Sequence, residues 1–501
     1  MHERRRRWGV VVGLMAALLL QACGVEQTPK VPVPVQTPRR PFTVGTTDRI
    51  TATDPAAITD QASAIIAYNV FQRLTSSGAN ADDKPLDAAK DCLFDAQQVF
   101  TCVLNDGLTF SNGHALTSSD VKFSLERAIR LAVPNSSATQ LSSIRKIETP
   151  DERTIRIFLN RVDNQIWFAL ASPAASIVDE EIYDPDQSRA VTDPVYGSGP
   201  FMINFFSDEE LQLGRNPSYR GPTGAGVGGL TLKSYDSSSA VETAMAEHKV
   251  DVVWRGLSEA AQLRYANQVA SRPEQNTDDG FGRLVLPGAR VQELWWQPPS
   301  PNRANGDLRR AVSSALQEDR VSTSLVPLGL GAHVEAFDVG PAKDPKITWK
   351  QRIGLTLAYD PTVPDAADLA NQIRGRLEDT GGLSVRLVKA TPATSAESDL
   401  ALVDRKAWST TPLAWLQPYL DDPVQRSKVR QAENTYRATG VADAAAATAA
   451  ITDLQERAAT DLVILPITQS DEYVYLDAET RWSTSALAPG GHLALWGFTE
   501  E

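Results

Sequence analysis

The chain has 501 residues, 49 basic against 62 acidic side chains for a net charge of −13, three cysteines and five histidines. That acidity argues against nucleic acid or an anionic bilayer surface as an electrostatic partner, and the histidines are scattered without the spacing a metal centre needs. The length suits about three domain-sized units, or one discontinuous two-lobed body.

At the N-terminus Arg4, Arg5, Arg6 and Arg7 precede an uncharged run from Trp8 to Leu20. The run is short of the roughly 20 apolar residues a membrane-spanning helix requires, so residues 1–22 read as a secretory signal peptide. Its end, Leu20-Gln21-Ala22-Cys23, resembles a bacterial lipobox, whose cysteine takes a diacylglycerol; ordinary cleavage leaving a free thiol is the alternative. On the lipobox reading Cys23 anchors the chain to the outer face of the cell membrane. Residues 23–41 carry five prolines and no periodicity, the composition of a tether.

"FTVGT" (42–46) reads as a strand. A loop at Asp54-Pro55 follows, then a helix with Ala62, Ile65, Ile66, Asn69, Val70 and Leu74 on one face. Cys92 and Cys102 flank two β-prone runs around a polar turn, so a hairpin sets them opposite each other; an oxidising exterior permits a disulfide there. Gly107 and Asn112-Gly113 mark turns. Thr117 with Asp120 three residues on forms a capping box, opening a helix whose stripe is Val121, Leu125, Ala128 and Ile129.

That region, "LNDGLTFSNGHALTSSDVKFSLERA", resembles the signature of family 5 bacterial extracellular solute-binding proteins, the oligopeptide and dipeptide receptors of ABC importers. Further similarities follow in family order. They are "GSGPFMINFFSDEELQLGRNPSYRG" (197–221), "LTLKSYDSSSAVETAMAEHKVDVVW" (230–254), "NGDLRRAVSSALQEDRV" (305–321, with Arg310, Ala311 and Arg320 at matching places) and "ATDLVILPITQSDEYVYL" near the C-terminus. The resemblance covers about Phe42 to Trp496. It implies an α/β, type II periplasmic-binding-protein-like fold with an extra subdomain in the first lobe. Two crossing strands, near Leu286–Gln297 and Leu462–Ser470, hinge the lobes: residues 42–287 with 468–501 returning, and residues 288–467. It also implies capture of a peptide or peptide-like solute for a membrane permease, as a monomer with no cofactor, metal or catalytic residue.

The second lobe has local support of its own. A "GLTLAY" strand precedes a helix with Ala366, Leu369, Ala370, Ile373 and Leu377 on one face and Gly381 as its left-handed stop. "LSVRLV" and "DLALV" follow as strands of a mainly parallel sheet, and "ADAAAATAAITDLQERAA" as an alanine-rich helix.

Candidate ligand-binding residues come from position. Trp295, Trp296 and Gln297 lie beside the first crossing, where adjacent indoles point to opposite faces, so at most one meets the ligand. Trp254 and Arg255 end a strand; Arg255 either receives a substrate carboxylate or forms an ordinary ion pair. In many peptide-binding relatives the last of these strands runs into a "W..DY" stretch whose aspartate receives the peptide ammonium; here Ala407 stands near that place. Asp404 and Arg405, a few residues earlier, replace that charge or form a turn, aspartate's usual setting. Trp408 and Trp415 line an apolar pocket or pack the lobe. The rival functions are a binding protein used in signalling or cell-wall processes and a secreted hydrolase, but no G-x-S-x-G, S-x-x-K with K-T-G, or H-E-x-x-H occurs.

Overall fold

The computed structural model describes residues 40–76, 84–342, 351–391, 394–439, 443–483, 487–488 and 491–500. The signal segment 1–22, Cys23 and all but the last two residues of the tether lie outside them. Pro41–Glu501 forms one compact unit, a body built on a ten-stranded mixed sheet.

Strand β1 (Phe42–Thr46) is buried throughout, as five consecutive small or apolar residues allow when both faces of a strand are covered. Helix α1 (Gln61–Val70) starts where Asp60 accepts from the backbone of Ser63. All ten of its residues are buried, not one face only, and it stops at Val70, short of the expected Leu74. The cause is the "GSGP" turn: a Cβ at Gly197 or Gly199 would overlap the backbone around Val70, and the Gly199 amide donates to the Val70 carbonyl at 2.8 Å. Only glycine lets that turn close over the helix end. Leu74 is buried at 1% exposure in a bend of the non-helical chain beyond it.

The hairpin β2 (Ala89–Ala96) and β3 (Val99–Leu104) places Cys92 opposite Cys102, and the two are disulfide-bonded. Helix α2 (Ser118–Leu131) begins with the reciprocal Thr117–Asp120 capping box. It packs on a separate four-stranded sheet, β2-β3-β5-β4, completed by β4 (Ile144–Glu148) and β5 (Thr154–Leu159). Phe100, Leu125, Ile155 and Ile157 fill the core of this subdomain.

The large sheet adds β6 (Phe201–Phe206), β7 (Glu210–Arg215), β8 (Gly229–Ser234), β9 (Val252–Trp254), β10 (Phe281–Trp296), β11 (Ile353–Tyr359), β12 (Leu383–Lys389), β13 (Leu400–Arg405) and β14 (Ile464–Asp477) to β1. Its order is β12-β11-β13-β10-β14-β9-β1-β8-β7-β6. Strands β1, β8 and β9 run parallel on one side, β11, β12 and β13 on the other. The long antiparallel pair β10 and β14 joins them.

The hydrophobic cores part along that pair. Val291, Leu294, Trp296, Ile464, Leu465 and Ile467 belong to a core with the helix Ala366–Glu378 and strands β11 and β13, whereas Leu286, Val474 and Leu476 belong to one with β1 and α1. Between them the ladder breaks: Leu286 faces Glu472 but Arg290 faces Ser470, so three residues of β10 bulge against one of β14. Gly288 in the bulge has φ +62°, a left-handed conformation suited to glycine. Its amide donates to Asp471 Oδ1, and its carbonyl accepts from Gln469 Nε2.

Candidate functional site

The carboxyl ends of the parallel strands from both halves converge on one cavity. In open α/β sheets this is where loops leave the ladder and ligands bind. Asp48 lies two residues past β1, Arg255 one past β9, Asp360 one past β11 and Lys406 one past β13. All four line a cavity partly open to solvent, together with Asp60 and Gln61 of the α1 N-terminus, Trp295, Val363, Val403, Asp404, Arg405, Trp408, Gln417 and Asp421.

Its floor is a charged knot. Arg255, held in the left-handed region at φ +54°, donates through Nε to Asp48 Oδ2 at 2.7 Å, through Nη1 and Nη2 to Asp404 Oδ1 at 3.2 Å, and through Nη1 to Glu472 Oε2 at 3.2 Å. Arg290 Nε donates to the other oxygen of Asp404 at 2.8 Å, and Lys406 Nζ lies 3.0 Å from Glu472 Oε1. Burial opposes charge on Arg255, but Asp404, Asp48 and Glu472 outweigh it and raise its pKa well above the ordinary value. Burial likewise works against ionised Asp404, yet Arg255 and Arg290 hold its pKa below the ordinary carboxylate value. Three cations therefore neutralise three carboxylates, drawn from both halves of the sheet and from the strands between them.

Above the knot Trp408 stacks on His492, ring planes 3° apart and centroids 5.2 Å apart, and packs with Ala64, Ala67 and Tyr68 of α1. Loss of water, then the charge of Lys406, pushes the His492 pKa down to about 3, so the imidazole is neutral; its Nε2 lies 3.2 Å from the Ala407 carbonyl. Farther along, Arg437 of the helix Arg426–Thr439 meets Asp163, which follows β5, at 3.1 Å, both side chains almost fully buried. These contacts tie the two halves together around the cavity.

Of the residues expected from sequence, Arg255, Trp295, Asp404, Arg405 and Trp408 come together here. Asp404 lies on β13 opposite Gln292, not in a turn, because its backbone completes the ladder with β10. Arg405 is committed to Glu293, with Nε 2.7 Å from Oε2, and its guanidinium covers the ring of Trp415 at 4.9 Å. The alternation of the strand sends Trp295 to the cavity, where its Nε1 donates to Glu293 at 2.7 Å, and Trp296 into the core at 2% exposure. Trp254 is fully buried with Nε1 donating to Glu472 at 3.1 Å. Gln297, 4% exposed, donates its amide to the Asp399 carbonyl, and Trp415 sits in the core beside β10 and β13. Neither lines the cavity. Sequence reasoning missed Asp48, Asp60, Gln61, Asp360, Lys406 and Asp421. The available signal was position, since several of them directly follow strand ends. Among the described residues no cluster of histidine, cysteine or acidic side chains could hold a metal, and no helix is long and apolar enough to cross a membrane.

A cavity at the strand ends of two α/β halves, each with its own core and joined by a bulged strand pair, defines a two-lobed solute-binding fold. The chain belongs to the bacterial extracellular solute-binding proteins, family 5, whose middle-region model matches residues 88–434. This is a family of solute-binding proteins, not of enzymes. It is 25% identical over 270 residues, 52% of this chain, to a probable D,D-dipeptide-binding periplasmic protein DdpA of Escherichia coli, and spans about half (50%) of that relative's length. Among solved structures it resembles AgaA of A. tumefaciens R10 in complex with agropinic acid (TM-score 0.77, 18% identity, 92% of this chain and 98% of that one). It also resembles the dipeptide-binding protein of Pseudoalteromonas sp. SM9913 in complex with Met-Leu (TM-score 0.75, 15% identity, 92% and 100%). At those identities the likeness is one of fold.

Proposed function

We propose that the protein captures a peptide or peptide-like solute between two lobes and delivers it to the membrane permease of an ABC importer. The lobes are residues 42–287 with 468–501, and residues 288–467, with the boundary at the bulge around Gly288. The observation that carries this reading is the cavity between two separately packed cores joined by β10 and β14. A ligand touching both walls favours the closed form by its differential affinity, and the closed surface is what a permease distinguishes. The Met-Leu complex of the Pseudoalteromonas relative supports peptide as the solute class. Trp295, Trp408 and the polar groups beside them form the ligand surface, whereas Arg255, Asp404 and Arg405 shape it through their partners in the protein. The lipobox-like Leu20–Cys23 supports a lipid anchor at Cys23 on the outer face of the membrane, with the protein acting as a monomer.

Native mass spectrometry of freshly purified protein, followed by calorimetry against a peptide library, tests this reading. Recovery of an unmodified peptide guest, with a smaller radius of gyration on binding, is the expected result. Turnover of the guest, or a radius indifferent to every guest, would overturn it.

A further inference from the structure

The charges lining the cavity do not cancel. Every cation there is matched by a carboxylate of the protein: Arg49 by Asp236, Arg255 by Asp48, Asp404 and Glu472, Arg405 by Glu293, and Lys406 by Glu472. Three carboxylates in the same lining form no ion pair among the described residues, Asp421 feeling Arg437 only at longer range. Asp60 accepts from Ser63 and Thr51, Asp360 from the amide and hydroxyl of Thr362 at 2.9 and 2.7 Å, and Asp421 from Gln417 Nε2 at 2.6 Å. A second observation is independent of charge. Gln61, beside Asp60 in the first turn of α1, lines the cavity at 7% exposure, and its Oε1 is buried without a hydrogen-bond donor. An amide oxygen left in that state costs about 1–3 kcal/mol, which an N–H from a ligand would recover.

Resting on the solute-receptor reading above, we infer that the cavity selects solutes of net positive charge. Their ammonium or guanidinium groups donate to Asp60, Gln61 and Asp360, with Asp421 available to a second cation. The α1 N-terminus and the end of β11 belong to opposite lobes, so such a group bridges the two walls and favours closure. The indoles of Trp295 and Trp408 with Val363 give the apolar body of the solute its contact. Loss of water raises the pKa of both Asp60 and Asp421. A carboxylate on the solute would meet no unpaired cation among the described residues of the lining, and like charges brought together disfavour binding. Arg255, the sequence-level candidate for a substrate carboxylate, is already saturated.

Calorimetry on the full purified protein with Lys-Lys, Ala-Ala, Glu-Glu and spermidine separates this inference from the one it rests on. Lys-Lys should bind at least about tenfold tighter than Ala-Ala, and Glu-Glu more weakly than either. D360N and D421N, each verified as folded by circular dichroism, should shrink the preference for Lys-Lys over Ala-Ala. Ala-Ala or Glu-Glu binding as tightly as Lys-Lys would overturn the charge selection and leave the peptide receptor standing. Spermidine binding without any dipeptide would support the charge selection and refute the peptide reading. Binding of none of the four would overturn both.

Discussion

Replacing Arg255 by glutamine should shift the protein toward its open form. The side chain satisfies Asp48 from one lobe, Asp404 from the other and Glu472 from the connecting strand. Without it Arg290 still serves Asp404 and Lys406 still serves Glu472, so the charge left stranded is Asp48, 7% exposed. Removing one member of a buried ion pair costs about 3–5 kcal/mol when the remaining charge stays desolvated, but burial holds the Asp48 pKa up at about 6 even beside Arg255, so at pH 7 the stranded carboxyl takes up a proton instead. Opening the lobes lets water reach that group, so the penalty falls on the closed form alone. At about 1.4 kcal/mol per pH unit above 6, the open-to-closed ratio at pH 7 should rise by about tenfold, and ligand affinity should fall in proportion. At a guest concentration that closes the parent, small-angle scattering of the variant should give a larger radius of gyration than the parent. Adding D48N to R255Q neutralises the stranded group and should restore most of both properties. Parent-like scattering and affinity in R255Q would refute the reasoning.

Three further outcomes follow from the same geometry. G288A places a Cβ against the Gln469 side chain at a residue with φ +62°; a strained hinge costing about 1–3 kcal/mol should slow or bias closure in stopped-flow ligand binding. The His492 pKa lies near 3 in the folded protein, below the ordinary 6.5. The unfolded chain therefore binds the extra proton between those values, and this residue's contribution is full above about pH 6.5 and lost as pH falls toward 3. Relative to H492F, parental stability from urea titrations should decline by about 1.4 kcal/mol per pH unit across that window; parallel pH profiles would refute this. Converting Cys92 and Cys102 to serine should destabilise the four-stranded subdomain by about 2–3 kcal/mol. Neither cysteine lines the cavity, so calorimetric ligand affinity should stay unchanged.

Much of the architecture was legible in the chain because it rests on local rules. The Thr117–Asp120 box, the Cys92–Cys102 pairing and the helix following "GLTLAY" each depend on neighbours a few residues apart, and each stands in the structure. The extent of α1 was not legible, since it ends against Gly197 and Gly199, more than a hundred residues away. The turn alternative for Asp404 fails for the same reason: its strand exists through a ladder with β10.

The site divides along the same line. Residue order determined that adjacent Trp295 and Trp296 point apart, because alternation is a property of any strand. Only the tertiary structure decided which indole meets the cavity, which cations are spent on protein carboxylates, and which carboxylates are left over. Charge matching is a sum over side chains brought together from segments hundreds of residues apart, such as Asp48 and Asp404 on the single guanidinium of Arg255. No local pattern encodes that sum; it exists only once the two lobes face each other.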